Sequence, residues 1–241
     1  MSSVYVVMPA YNEEANIEAT VKDWYSIVAK GADSRLVIAD SGSTDSTHKI
    51  LLALKKKYPK IEILSKTGQY HGPKVIALYK YAIKKKADWV FQTDSDGQTN
   101  PAEFKAFWEA RTKYDAIIGN RSERGDGKDR AFVERVVCGL LKFYFGVKVP
   151  DANAPFRLMK TSLVAKYVNR LDDDYDLPNI MMTTFFAYYG ENVAFREISF
   201  KPRGAGKNSI NIKKIVKIGW NALGDFRKFK KEMKKDEGKT A

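Results

Sequence analysis

A chain of 241 residues, 44% hydrophobic and 12% aromatic, is long enough for one large α/β domain and too apolar for intrinsic disorder. Forty-two Lys and Arg against 29 Asp and Glu leave a net charge of +13, which predicts an anionic partner or surface. The best apolar run, Ile180 to Tyr189, falls short of the ~20 residues a spanning helix needs. No charged-then-apolar leader precedes Val4, and the lone Cys138 excludes an internal disulfide or a multi-cysteine zinc cage.

From the N-terminus, short β-rich runs alternate with helical patterns. Val4 to Met8 reads as a buried strand closed by Pro9, and Asn12 as the cap of a helix carrying Ile17, Val21, Trp24 and Val28. Leu36 to Ala39 is a second strand, Asp45 to Tyr58 a helix, Ile61 to Leu64 a third strand and Val75 to Lys86 a helix. Trp89 to Gln92 forms a fourth strand, Pro101 opens a helix over Ala102 to Lys113, and Ala116 to Gly119 forms a fifth strand. This rhythm predicts right-handed crossovers and a mostly parallel sheet flanked by helices. After Asn120 it breaks into two or three helices and a strand near Val193 to Phe200. Residues 201–241 hold +9 of the net charge, which divides the chain into a domain over 1–200 and a basic loop with an amphipathic helix over 201–241.

In open α/β sheets ligands gather at the carboxyl ends of strands, and three polar loops fall there. They are Pro9-Ala10-Tyr11-Asn12-Glu13, Asp40-Ser41-Gly42-Ser43-Thr44-Asp45 and Asp94-Ser95-Asp96-Gly97-Gln98. Asp94 and Asp96 either share a hard cation, Mg2+ or Mn2+, or make a turn that caps the next helix. Asp40 either accepts hydrogen bonds from a base or ribose or belongs to a capping turn. Tyr11 stacks on a base or covers the sheet edge. Lys74, behind His71-Gly72-Pro73, either meets an anion at a helix start or is a solvated lysine. His71 reads as a loop bystander and His48 as a surface residue, and two histidines make a zinc site or a Ser-His-Asp triad improbable.

Together these segments resemble the ordered signatures of family 2 glycosyltransferases of the GT-A fold. Asp94-x-Asp96-x-Gln98 with Pro101 and Glu103, Gly119-Asn120-Arg121 with Arg124 and Arg130, and Asp151-Ala152-Asn153-Ala154-Pro155-Phe156-Arg157-Leu158 are similar to the polyprenyl-phosphate, dolichyl-phosphate mannose synthase-like subgroup. Ser41 stands where a second acidic residue is common, and Ala154-Pro155 replaces Ser-Gly. The resemblance implies Pro9, Tyr11, Glu13 and Asp40 for the nucleotide, with Asp94 bridging ribose or metal and Asp96 on Mg2+ or Mn2+; Lys74 and Ser95 are further candidates for the nucleotide. Gln98, Arg121, Arg157, Arg203 and Lys207 are the candidates for acceptor or phosphate, and Asp151 for a base toward a sugar hydroxyl.

The expected activity is inverting transfer of a sugar, UDP-linked rather than GDP-linked, to a polyprenyl phosphate or lipid-linked sugar. The expected location is the cytoplasm, peripheral at the inner membrane face, with a homo-oligomer open. The loop 203–209 either closes over substrate or is a solvated linker. The terminal helix, with Ile212, Ile215, Val216, Trp220, Leu223, Phe226, Phe229 and Met233 in a stripe, either packs on the domain or lies in an anionic membrane interface. Its dense Arg227-Lys228-x-Lys230-Lys231 run leans toward the membrane. Two other functions compete with transfer. A sugar-nucleotide nucleotidyltransferase would carry a glycine-rich phosphate loop after the first strand, which Pro9 to Glu13 lacks. A non-enzymatic basic membrane or nucleic-acid module would not need Asp96, and nucleic acid is not expected.

Overall fold

The computed structural model describes residues 2–122, 128–204 and 212–240. Among them, β1 (Val4–Ala10), β2 (Arg35–Asp40), β3 (Ile61–Leu64), β4 (Trp89–Thr93), β5 (Ala116–Asn120), β6 (Phe156–Lys160) and β7 (Val193–Glu197) form one sheet, ordered β3-β2-β1-β4-β6-β5-β7. Helices α1 (Ile17–Ala29), α2 (Thr47–Lys57), α3 (His71–Lys84), α4 (Phe104–Ala110, behind a 3-10 turn at Pro101–Glu103), α5 (Lys128–Phe145), α6 (Thr161–Val168), α7 (Pro178–Tyr188) and α8 (Ile212–Thr240) complete it.

Side chains alternate along β1 as a two-sided strand requires. Val4, Val6 and Met8 enter one core with Trp24, Leu51 and Phe107, while Tyr5 and Val7 enter a second with Leu78, Tyr167 and Phe185. α1, α2 and α4 therefore cover one face, and α3, α5, α6, α7 and α8 the other. β1 pairs in parallel with β2 on one side and β4 on the other, so the strand order reverses beside β1. Such a switch point leaves a crevice at the carboxyl ends of the strands.

Three expectations are corrected. Asn12 caps no helix: it takes a positive φ of 52°, and α1 begins only at Ile17. Asn12 instead accepts a hydrogen bond from the Thr44 amide on its side-chain Oδ1 at 2.8 Å, tying the first loop to the second. Second, the segment around Phe156 is a strand, β6, inserted antiparallel between β4 and β5. The buried Arg157, its second residue, breaks the apolar run by which a central strand is recognised.

The third correction concerns α8. Ala222, Phe226, Phe229 and Met233 are buried in the same core as α3 and α7. Phe226 meets Tyr144 and Phe145, with ring centroids 5.9 and 5.6 Å away, and Phe229 meets Tyr175 and Phe185. Arg170 pairs with Asp236 at 2.6 Å, and the Tyr188 hydroxyl donates to Glu237 at 2.7 Å. This part of the stripe packs on the domain; Ile212, Ile215, Val216 and Trp220 lie outside the described side chains. Phe229→Ala is accordingly expected to cost about 3–5 kcal/mol in urea unfolding, whereas a stripe held in lipid would leave the stability of the free protein nearly unchanged.

Candidate functional site

The ends of β2, β1 and β4 bring the three polar loops to one rim. With strands about 4.8 Å apart, the residues following β2 and β4 stand on the order of 10 Å from each other, with the β1 loop between them. The loops are cross-linked. The Asn12 amide donates to Ser43 Oγ at 3.1 Å, the Glu13 amide to Thr47 Oγ1 at 2.8 Å, the Glu14 amide to Asp45 Oδ2 at 3.1 Å and the Ser46 amide to Glu14 Oε2 at 2.9 Å. Gly42, at φ 81°, turns the second loop tightly against Gln69.

Asp40, at the end of β2, is buried. Ser43 Oγ donates to one of its oxygens, and His48 Nδ1 lies 2.8 Å from the other. Glu13, also buried, accepts from Asn16 Nδ2 at 2.9 Å and pairs with Arg203 at 2.6 Å. Lys74 is not a solvated lysine: it is buried, its Nζ donates to the Ala10 carbonyl at 2.6 Å and sits 5.1 Å from the Tyr11 ring centroid. Burial brings its pKa down to about 8, against the pull of Asp40. Gly72 lets α3 start there, because a Cβ at that position would come within 2.2 Å of the Tyr175 carbonyl oxygen. Pro9 lies in β1, and its carbonyl accepts a hydrogen bond from Ser95 Oγ at 2.8 Å, anchoring the third loop to the first.

In that third loop Asp94 lies 3.1 Å from His71 Nε2. Crowding works against protonation of the His71 ring, but the Asp94 charge and hydrogen bond prevail and raise its pKa. Asp96 accepts from the Gln98 amide at 3.2 Å and has Arg203 at 3.8 Å. Burial first, then the Asp94 charge, push its carboxyl up to about 6 from an ordinary 3.8. Among the described residues no three His, Cys, Asp or Glu side chains form a ready metal cage. Two carboxylates that repel each other at the end of a strand nevertheless suit Mg2+ or Mn2+, which take one or two protein carboxylates and complete their shell with water and phosphate.

The acceptor-side candidates are placed differently from expectation. Arg121 and Asp151 form a buried fork, Nε to Oδ2 at 2.7 Å and Nη2 to Oδ1 at 2.9 Å, with Glu134 3.5 Å from the same guanidinium. The Asn153 amide also donates to Asp151, at 3.1 Å. Asp151 is thus committed to Arg121 rather than presented as a base. Arg157 is fully buried, donating to the Asn179 carbonyl and to Thr183, and does not reach a phosphate at the surface. Gln98 spends its amide on the Lys201 carbonyl at 2.7 Å, fastening the third loop to the segment that carries Arg203. Lys207 and Arg124 lie outside the described residues.

His48 and His71, set aside in the sequence, turn out to contact Asp40 and Asp94. The signal for them was position: His48 lies just behind the second rim loop, and His71 opens the His71-Gly72-Pro73 segment that leads to Lys74.

A family model described as Glycosyl transferase family 2 matches residues 5–232. An undecaprenyl-phosphate 4-deoxy-4-formamido-L-arabinose transferase of Pseudomonas aeruginosa is 27% identical over 163 residues, 67% of this chain and 48% of that protein. A dolichyl-phosphate beta-glucosyltransferase of Trichomonas vaginalis is 25% identical over 141 residues, 53% of this chain and 43% of the relative. The chain spans about half the length of these curated relatives. Glucosyl-3-phosphoglycerate synthase from Mycobacterium tuberculosis, solved with Mn2+, UDP and phosphoglyceric acid, superposes with a TM-score of 0.68 at 19% identity, covering 93% of this chain and 78% of that one. The fold is GT-A-like.

Because the folded state holds the Asp96 proton more tightly than the unfolded chain, its contribution to stability is present at low pH and fades as pH rises from about 4 toward about 6. Asp96→Asn is therefore expected to raise the Tm of the ligand-free protein above pH 6 and leave it unchanged near pH 4, read by calorimetry across that range. Asp151→Asn, which breaks a buried pair, is expected to cost about 3 kcal/mol or more in urea unfolding. Normal stability with turnover abolished would instead restore Asp151 as a base.

Proposed function

From the premise that the chain belongs to glycosyl transferase family 2, we propose that it moves a sugar from a nucleoside diphosphate, UDP in preference to GDP, to a lipid-borne acceptor. The observation that carries this reading is the cluster of Glu13, Asp40, Asp94 and Asp96 at one rim, with Asp96 left short of neutralising charge. In it, Asp40, oriented by Ser43 and His48, accepts hydrogen bonds from the nucleoside, and Tyr11 covers the base. Mg2+ or Mn2+ held by Asp94 and Asp96 would neutralise charge building on the departing diphosphate. Arg203, within reach of Glu13 and Asp96, is placed to follow the phosphates. The acceptor oxygen bonds to the anomeric carbon as the carbon–oxygen bond to the diphosphate breaks, with inversion.

The commitment of Asp151 to Arg121 favours one acceptor class. A phosphate monoester, with a second pKa of about 6, arrives largely ionised and needs no base. A sugar hydroxyl must give up a proton. A polyprenyl phosphate fits these residues better than a lipid-linked sugar, in keeping with the names of the undecaprenyl- and dolichyl-phosphate relatives. The reaction then belongs at a membrane surface, and no helix among the described residues is long and apolar enough to cross one.

A panel of nucleoside-diphosphate sugars, screened by thermal shift with and without Mn2+, tests the donor assignment. A cognate UDP-sugar at a hundred times its Kd stabilises by about 2.7 kcal/mol. That shift is expected to need Mn2+, to fade below pH 6 as Asp96 takes up a proton, and to vanish in Asp40→Ala. A panel in which nothing shifts the Tm overturns the assignment.

A further inference from the structure

The outward side of α5 carries an apolar ridge. Phe132, Val136 and Phe143 keep 62%, 45% and 78% of their surface open. At about 100° per residue they fall within roughly 40° of arc and run about 16 Å along the helix. Gly139 lies on the same line, and a Cβ built there meets nothing within 4 Å, so among the described residues nothing covers the ridge at its centre. The opposite side of α5 packs inward, with Leu141 and Phe145 in the core and Glu134 accepting from the Ala152 amide at 2.8 Å.

Cations border the ridge on both flanks. Arg135 and Lys142 are exposed beside it, and on the other side Lys230 of α8 lies 6.0 Å from the Tyr144 ring centroid. Because α8 turns Phe226 and Phe229 inward, Arg227, Lys231 and Lys234 are displayed to solvent.

The geometry points to α5 as the element that seats this protein in the headgroup layer of an anionic membrane, with the α8 lysines as its electrostatic rim. An apolar line rimmed by lysine and arginine is the pattern of a helix lying in the interface plane. A protein partner fits less well: lysine is depleted in protein interfaces, and three side chains fall far short of the ~800 Å² per partner of a stable one. Behind the ridge, Glu134 ties α5 to the segment that leads into β6, and docking would hold the protein at the surface from which a lipid-borne acceptor is taken. That purpose rests on the lipid-acceptor reading; the binding itself is measured without donor or acceptor.

The test is co-sedimentation of the full chain with phosphatidylcholine vesicles, with and without phosphatidylglycerol. Binding is expected only with the anionic lipid, falling by about tenfold or more in Phe132→Ser/Phe143→Ser with Tm unchanged. Equal binding by this variant and the parent overturns the proposal. Lys231→Glu/Lys234→Glu/Lys235→Glu is expected to weaken binding as well, and binding undiminished in this variant overturns the lysine rim. A shift from dimer to monomer in the phenylalanine variant, seen by light scattering, would also overturn the proposal by making the ridge an interface between copies. A failed donor screen with vesicle binding intact would remove the transferase reading and leave the docking surface standing.

Discussion

Carboxylates that repel one another are held at one rim because backbone pairing, which is indifferent to their charge, puts them there. β1 is hydrogen-bonded to β2 and β4, so the loops after all three strands must share an edge. Each acid in turn acquires a partner: Asp40 has Ser43 and His48, Glu13 has Asn16 and Arg203, Asp94 has His71. Asp96 has the weakest share, an amide and a guanidinium 3.8 Å away. Burial and the neighbouring Asp94 charge therefore raise the pKa of Asp96 and make its ionised form costly in the fold.

Around this rim the structure separates groups that hold from groups that can act. Arg121 pairs with both Asp151 and Glu134, and Glu134 accepts from the Ala152 amide, which ties the segment before β6 to α5. Arg157 is sealed beneath α7. Arg203 differs from both, reaching the rim from a segment tied down through Gln98 and Lys201. Its guanidinium, 2.6 Å from Glu13 and 3.8 Å from Asp96, puts a positive charge beside the rim carboxylates. The same helix that carries Glu134 inward carries its phenylalanines outward, so the buried network and the exposed ridge share one rigid element.

Much of the fold was legible in the sequence, though not evenly. The runs at Val4, Leu36, Ile61, Trp89 and Ala116 are short, apolar and bounded by polar or proline-containing loops, and each forms the strand those features predict. β6 was not legible, because Arg157 interrupts its apolar run and its neighbours lie far along the chain. Among site residues, Asp40, Asp94 and Asp96 announced themselves by following strands. His48 and His71 did not, since one begins inside a helix and the other starts one.

The sequence by itself determined the strand–helix rhythm, the GT-A-like class and the edge at which polar loops meet, because side-chain periodicity and turn chemistry act over a few residues. Tertiary structure alone decided what each charge faces. Asp151 meets Arg121 across 30 positions and Glu13 meets Arg203 across 190, and α8 lays its phenylalanines on α5 and α7. Such contacts follow from how sheet and helices pack, and no local pattern distinguishes a charge aimed at solvent from one aimed at a partner brought in from afar.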